Sequence, residues 1–253
     1  MLRGDGWRTR HDAFKWLIAQ QASWAMYHLQ VEPSNIFLPW IRQREHFLRS
    51  NVRRQRQGMV PDFIDVDRQV LMDVKGVSYC NRYRSARFFQ ALTCDVVRER
   101  QAQVQSEALR KAKKVDADYN GFIAAEALGE GPMEQRLRSF GRVEGLVVGA
   151  HGEGSPDLLR FIKLLAERAA MTRFRSMGFD TPRSARSTIL SQIRMSLGVE
   201  AIRGMARLRV ANLGAALAGN ASSKAATNRR YQARRLFEEQ DQAYFARHCY
   251  FDV

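Results

Sequence analysis

The chain has 253 residues, with 41 lysines and arginines against 26 aspartates and glutamates, a formal net charge of +15. Its 45% hydrophobic and 26% charged residues are the composition of a globular protein with a sizeable core. No apolar run approaches the roughly 18 residues that span a bilayer, and the start, MLRGDGWRTRHD, lacks the apolar centre of a secretory signal.

A basic surplus of this size favours a polyanionic partner, most simply nucleic acid, through phosphate neutralisation and counterion release. Arginine supplies 34 of the basic residues and lysine only seven, which suits phosphate recognition but is also what a GC-rich genome produces. Cys80, Cys94 and Cys249 show no CxxC spacing, and the five histidines are scattered. That pattern fits a reducing intracellular compartment without structural zinc. Any metal is then oxygen-ligated: magnesium, manganese or calcium.

In chain order, residues 10–30 read as a helix with Phe14, Leu17, Ile18, Trp24, Ala25 and Tyr27 on its apolar face. A proline-bounded loop follows over 32–39, then a second helix over about 40–50. Glu45 shares the face of Ile41 and Leu48 there, so it is either a boundary residue or a carboxylate aimed inward. Two short strands are expected over about 60–66 and 69–77, and a long helix over about 95–120 with Val97, Val104, Ala108, Ala112 and Val115 along one side. Residues 120–142 are glycine-interrupted and read as irregular. VEGLVVGA (143–150) is a buried-type strand. It leads through HGEG to a helix begun by Ser155 as N-cap, Pro156 and Asp157. Strand, long helix, strand in that order implies a parallel strand pair. Three further helices are expected over about 183–197, 199–217 and 223–247, with 218–228 as a linker.

The segment Met59–Val77, MVPDFIDVDRQVLMDVKGV, carries the chemistry. If the hairpin turns symmetrically about Asp67 and Arg68, paired residue numbers sum to 135, which puts Asp65 opposite Val70 and Asp62 opposite Asp73. Opposed side chains lie about 4.5–5.5 Å apart between Cβ atoms and share a face. Lys75 joins that face by period two. Opposed aspartates are unfavourable alone, so a compensating cation is expected, and a divalent metal is the natural one. Such a site suits metal-assisted phosphodiester hydrolysis, with Lys75 holding a water or a phosphate oxygen. The bland alternative is a surface hairpin with solvated aspartates, but its intervening residues are apolar on both faces, as in a central strand pair.

Pro61-Asp62 followed by Asp73-Val74-Lys75 resembles the PD…(D/E)xK signature of the restriction-endonuclease-like superfamily. The order of elements over about 40–170 is similar to that superfamily's αβββαβ core, except that no first strand is evident between the second helix and Val60. With the lysine-bearing helix and Tyr119 behind it, the segment also resembles the endonuclease domains of site-specific non-LTR retrotransposons. LRSFGRVEGLVVGAHGEGSPDLLRFIKLLA resembles proteins encoded near reverse-transcriptase-like elements in algal and protist genomes.

The resemblance implies an α/β fold: a three-layer restriction-endonuclease-like core with a small mixed β-sheet flanked by helices, plus N- and C-terminal helical extensions. The corresponding division is 1–39, 40–170 and 171–253. It implies Asp62 and Asp73 as ligands of Mg2+ or Mn2+, Lys75 as the catalytic lysine and Glu45 as a further ligand. Lys111, Lys114 and Tyr119 would form a basic helix near the scissile phosphate, for which a solvated helix face is the equal alternative. Arg53, Arg54 and Arg56 adjoin the site and would grip the substrate backbone. The activity implied is a metal-dependent DNA endonuclease from a mobile genetic element, as a homodimer or fused to a larger element protein, with no membrane partner. The rival reading is a catalytically inactive descendant that binds nucleic acid or forms part of a ribonucleoprotein. A helical scaffold remains if the hairpin reading fails.

Overall fold

The computed structural model describes residues 6–33, 35–45, 47, 60–77, 89–122 and 129–219. It divides into two compact units, one of His11–Ile202 and one of Met1–Arg10 with Arg203–Val253. In the smaller unit the Arg10 guanidinium donates to the Met205 sulfur at 3.2 Å, and Gly204 leaves room for the Arg10 stem. Among the described residues no helix is long and apolar enough to cross a membrane.

The fold is mixed α/β. Its elements are α1 (Gly6–Trp24), β1 (Leu29–Val31), a 3-10 turn (Leu38–Trp40), β2 (Phe63–Asp65), β3 (Val70–Gly76), α2 (Phe89–Tyr119), α3 (Pro132–Ser139), β4 (Glu144–Val148), α4 (Pro156–Arg173) and α5 (Pro182–Gly219). The four strands form one sheet in the order β1-β2-β3-β4. β1 pairs antiparallel with β2, β2 antiparallel with β3, and β3 parallel with β4, the parallel pair expected from the intervening long helix.

Strand periodicity divides the core in two. Phe63, Met72, Val74, Leu146 and Val148 face one side, where they pack with Phe14 and Ile18 of α1 and with α4 and α5. Ile64 and Leu71 face the other side, toward Val104, Ala112 and Val115 of α2 and Met133 and Leu137 of α3. The expected inward stripe of the long helix is thus its buried stripe, although the helix starts six residues before residue 95.

Several boundaries depart from expectation. The first helix stops at Trp24 instead of 30, because Tyr27 N–H bonds Ala22 O at 2.9 Å and Met26 N–H bonds Ser23 O at 2.9 Å, a Schellman ending with Met26 at φ 53°. That turn releases 29–31 to form the edge strand β1, ahead of the region where a first strand was sought. The helix expected over 40–50 does not begin at 40: Trp40 ends the 3-10 turn, Ile41 is extended and 42–43 form a turn. Residues 44, 45 and 47 are helical, and 46 and 48–50 lie outside the described residues. The irregular 120–142 stretch contains α3, begun by Gly131 and Pro132. The buried Asp116 carboxylate accepts from Met133 N–H at 2.9 Å, Glu134 N–H at 3.0 Å and the Asn120 amide at 2.7 Å, so a side chain of α2 satisfies the free amides of α3. The helices expected at 183–197 and 199–217 are one, running through Gly198, against which Gly152 packs so closely that a Cβ there would stand 2.8 Å from the Gly198 Cα. Ser155 caps α4 as expected, accepting from Leu158 N–H at 3.3 Å and donating to Gly145 O at 2.7 Å. The 223–247 segment and the linker beyond 219 lie outside the described residues.

The hairpin register is Phe63↔Met72, Ile64↔Leu71 and Asp65↔Val70, in agreement with the sum of 135. Pairing begins one step later than a symmetric two-residue turn gives, leaving Val66–Gln69 as a four-residue loop with Gln69 at φ 54°. Asp65, fully buried, locks this loop: its carboxylate accepts from Arg68 N–H at 3.0 Å, from the Arg68 guanidinium and from the Tyr27 hydroxyl at 2.5 Å. Arg68 also reaches Glu144 of β4 at 3.4 Å. Burial, then the bond to Asp65 and its charge, push the Tyr27 hydroxyl up to about 12. Burial alone would raise Asp65, but the Tyr27 and Arg68 donors together hold it below its ordinary 3.8.

A carboxylate held low contributes stability that is fully present above 3.8 and is lost as pH falls through its folded value. Asp65→Asn is therefore expected to destabilise by about 2–4 kcal/mol at neutral pH, since it leaves Arg68 without its buried partner. In urea melts the gap from wild type should narrow toward pH 3; a gap independent of pH would show that Asp65 does not act as a charge.

Candidate functional site

The same parity that buries Ile64 and Leu71 against α2 carries Asp62, Asp73 and Lys75 to that side of the sheet. Asp62 lies one residue before β2, and its backbone carbonyl accepts from Glu32 N–H at 2.9 Å. Its carboxylate takes the Val74 N–H at 2.7 Å on Oδ2 and faces His11 Nε2 at 3.1 Å on Oδ1. The Asp62 and Asp73 carboxyls stand close enough to shift each other's proton affinity, and Lys75 Nζ stands 2.6 Å from Asp73 Oδ2. The two aspartates and the lysine meet as the register requires.

Two carboxyls this close favour a state in which one holds a proton, and the surroundings decide which. Burial pushes the Asp73 carboxyl up to about 6; the charge of Lys75 opposes this, while the neighbouring Asp62 and its negative charge add to it. Asp62 goes the other way, to about 2. Burial alone would raise it, but the bond from His11, the neighbouring Asp73, the charge of His11 and the Val74 N–H outweigh burial. The pair titrates as a unit, with Asp73 as the member that holds the proton and Asp62 as the persistent anion.

Helix α2 supplies a second group of charges. Arg100 makes a two-pronged ion pair with Glu107, at 2.5 and 3.2 Å, and the Lys75 and Lys111 charges help hold Glu107 low once burial is overcome. Lys111 shares with Asp73 an open, mostly apolar recess walled by Phe37, Val60, Pro61, Leu71 and Ala108. Among the described residues Lys111 makes no ion pair, whereas Lys113 reaches Glu134 at 3.8 Å and Lys114 holds Asp118 at 2.8 Å.

The other expected residues are dispersed. Lys114, exposed and paired with Asp118, fits a solvated helix face. Tyr119, about 12 Å along the helix from Lys111 at the usual rise, packs edge-on against Phe47 with ring centres 5.1 Å apart. Glu45 is exposed, on a segment that bonds to the same helix end, with Gln43 N–H donating to Tyr119 O at 3.2 Å. It is not gathered with Asp62 and Asp73: among the described residues no three His, Cys, Asp or Glu side chains form a metal-holding group. Arg53, Arg54 and Arg56 lie outside the described residues.

Three residues at the site were not singled out in the sequence. Arg100 and Glu107 lie on the stripe of Val97, Val104 and Lys111, so helical spacing alone could have found them. His11 lies three and seven residues before Phe14 and Ile18, on the inward face of α1. A histidine on a core-facing stripe was the available signal. Comparison with family models, curated proteins and solved structures gives no match.

Asp73 is an acid whose affinity for its proton is raised in the fold. Its contribution therefore falls as pH rises from 3.8 toward about 6, and the full cost, about 3 kcal/mol, stands above that range. Metal-free Asp73→Asn is expected to be more stable than wild type at pH 8, by about 1–3 kcal/mol, and to lose that advantage near pH 4. Denaturant midpoints at the two pH values measure it. A variant less stable at pH 8 would mean that Lys75 fully compensates the pair.

Proposed function

We propose that the chain is a metal-dependent endonuclease of the PD-(D/E)xK type that hydrolyses DNA phosphodiester bonds. The observation that carries the reading is the juxtaposition of Asp62 and Asp73 from neighbouring antiparallel strands, with Lys75 2.6 Å from Asp73. The element order supports it: helix, three strands, helix and a fourth strand parallel to the third matches the αβββαβ core of the restriction-endonuclease-like superfamily, with β1 as the first strand. The family resemblance of the same segment suggests a mobile-element origin.

The residues fit Mg2+ or Mn2+. Two adjacent acid groups and no thiolate form a hard oxygen donor set, and such ions commonly take only one or two protein carboxylates, completing their shell with water and phosphate oxygens. When bound, the ion would lower the pKa of the attacking water and stabilise charge on the phosphate. Asp62 and Asp73 would hold it, Asp73 in the ionised form it takes as pH rises above about 6. Lys75, freed from neutralising Asp73, would donate to a non-bridging phosphate oxygen or orient the water. Lys111 would neutralise an adjacent phosphate.

One observation favours a binding-only descendant as the second reading: no third carboxylate joins the pair among the described residues. Titration calorimetry with Mn2+ separates the two, because the enzyme requires a metal site that Asp73→Ala destroys. Wild type is expected to nick DNA in Mg2+ or Mn2+. Asp73→Ala and Lys75→Ala, folded by circular dichroism, should each lose at least about 100-fold in rate. Activity persisting in either variant refutes the catalytic assignment.

A further inference from the structure

Helix α1 grips Asp62 by two routes from one face. His11 and Lys15 are four residues apart and therefore neighbours on the helix surface. His11 Nε2 meets Asp62 Oδ1 at 3.1 Å. Lys15, its side chain only 4% exposed, holds Glu32 at 2.6 Å, and Glu32 N–H bonds the Asp62 carbonyl at 2.9 Å. One grip fixes the backbone of Asp62 and the other its carboxylate.

An ionised carboxylate only accepts hydrogen bonds, so His11 must carry its proton on Nε2 and donate it. Val74 N–H holds the other carboxylate oxygen at 2.7 Å, so the plane of the carboxylate is set from both ends. Of the groups around Asp62, Asp73 would join it on the cation, so the bonds from His11 and Val74 are the ones that stay to orient it. The His11 and Val74 bonds use one lone pair on each oxygen and leave the other available. His11 stands on an element 51 residues away in sequence and packed chiefly on the opposite sheet face, through Phe14 and Ile18. Within the hairpin the Val74 N–H holds Oδ2, and the bond from His11 adds the second point that fixes Oδ1.

We propose that His11 is a positioning residue of the site: it orients Asp62 for cation binding without itself being a ligand. The inference rests on the metal-site reading above. Ligation is disfavoured because Nε2 is committed to Asp62 and no three-member ligand group forms among the described residues. Outer partners that orient ligands typically account for 10–100-fold in metal affinity or activity.

The test compares two variants of similar volume in the full chain. His11→Gln retains an amide donor that can reach Asp62; His11→Met retains bulk and loses the donor. Mn2+ affinity is measured by calorimetry without DNA, beside the kcat and KM of cleavage. Expected is about a 10–100-fold weaker Mn2+ affinity and a lower kcat in His11→Met, with KM for DNA unchanged and both losses largely rescued in His11→Gln. Wild-type Mn2+ affinity in a folded His11→Met, or equal losses in both variants, overturns the inference and leaves the nuclease reading intact. Mn2+ binding with this variant pattern but no DNA cleavage by wild type rejects the nuclease and upholds the positioning role. Absence of Mn2+ binding by wild type overturns both.

Discussion

The structure depends first on how one buried carboxylate closes a turn. Asp65 gathers the Arg68 backbone amide, the Arg68 guanidinium and the Tyr27 hydroxyl, and thereby sets where β2 ends and β3 begins. Strand side chains alternate with a period of two, so a slip of one residue would reverse every face of β3 relative to β2. Asp62 would part from Asp73, and Leu71 would exchange faces with Met72. The core would resist as strongly as the turn, because Leu71 and Met72 belong to different apolar clusters on opposite sides of the sheet. The register is thus specified twice, by a charge at the turn and by apolar parity along the strands. Arg68 extends the lock to β4 through Glu144.

Once the register is fixed, the aspartates have no way to avoid each other, and the fold divides the consequences unequally. Asp62 receives donors from α1 and from the β3 backbone, and stays an anion. Asp73 has Lys75 beside it but also faces that anion in a buried setting, and keeps its proton more tightly. The two shifts are opposite in direction, which leaves one member of the pair held against its ionised form. A group destabilised in its ionised form is what a cation would relieve. Stability and the proposed activity therefore pull Asp73 in opposite directions, a common property of functional sites.

The local features were legible in the sequence because local rules decide them. The hairpin register follows from the turn position, the parallel β3–β4 pair from the long intervening helix, and the start of α4 from Ser155-Pro156-Asp157. The failures have equally specific causes. α1 ends on a left-handed methionine, and without glycine as a signal the helix was extended over β1. α3 takes its caps from Asp116 on another helix, a contact that no window around Gly131 reveals. Gly198 is helical because it is packed against, not because it breaks the chain. Helical spacing assigned Glu45 to the face of Ile41, but Ile41 is extended backbone and buried while Glu45 is exposed, so the two share no helical face. His11 shows in the sequence only as a histidine on a core-facing stripe, because its partner lies 51 residues away.

The charge of the chain gains a different meaning from the same geometry. A surplus of +15 invites a nucleic-acid reading, yet many of the described arginines are engaged within the fold. Arg142 and Arg160 serve the fully buried Asp157, Arg138 serves Glu130 and Glu134, Arg100 serves Glu107, and Arg186 serves Glu167. Each pair removes one cation and one anion together, so the surplus of +15 survives the pairing but is not located by it. Net charge alone is therefore a weak argument for the proposed DNA partner. Lys111 is a stronger one. It stands exposed beside the inward stripe of α2, lines the recess beside Asp73, and makes no ion pair among the described residues, while its neighbours Lys113 and Lys114 do. With both carboxyls ionised the pair carries two negative charges, which Lys75 and Lys111 together balance. A bound divalent cation would release both lysines for a phosphate of the proposed substrate.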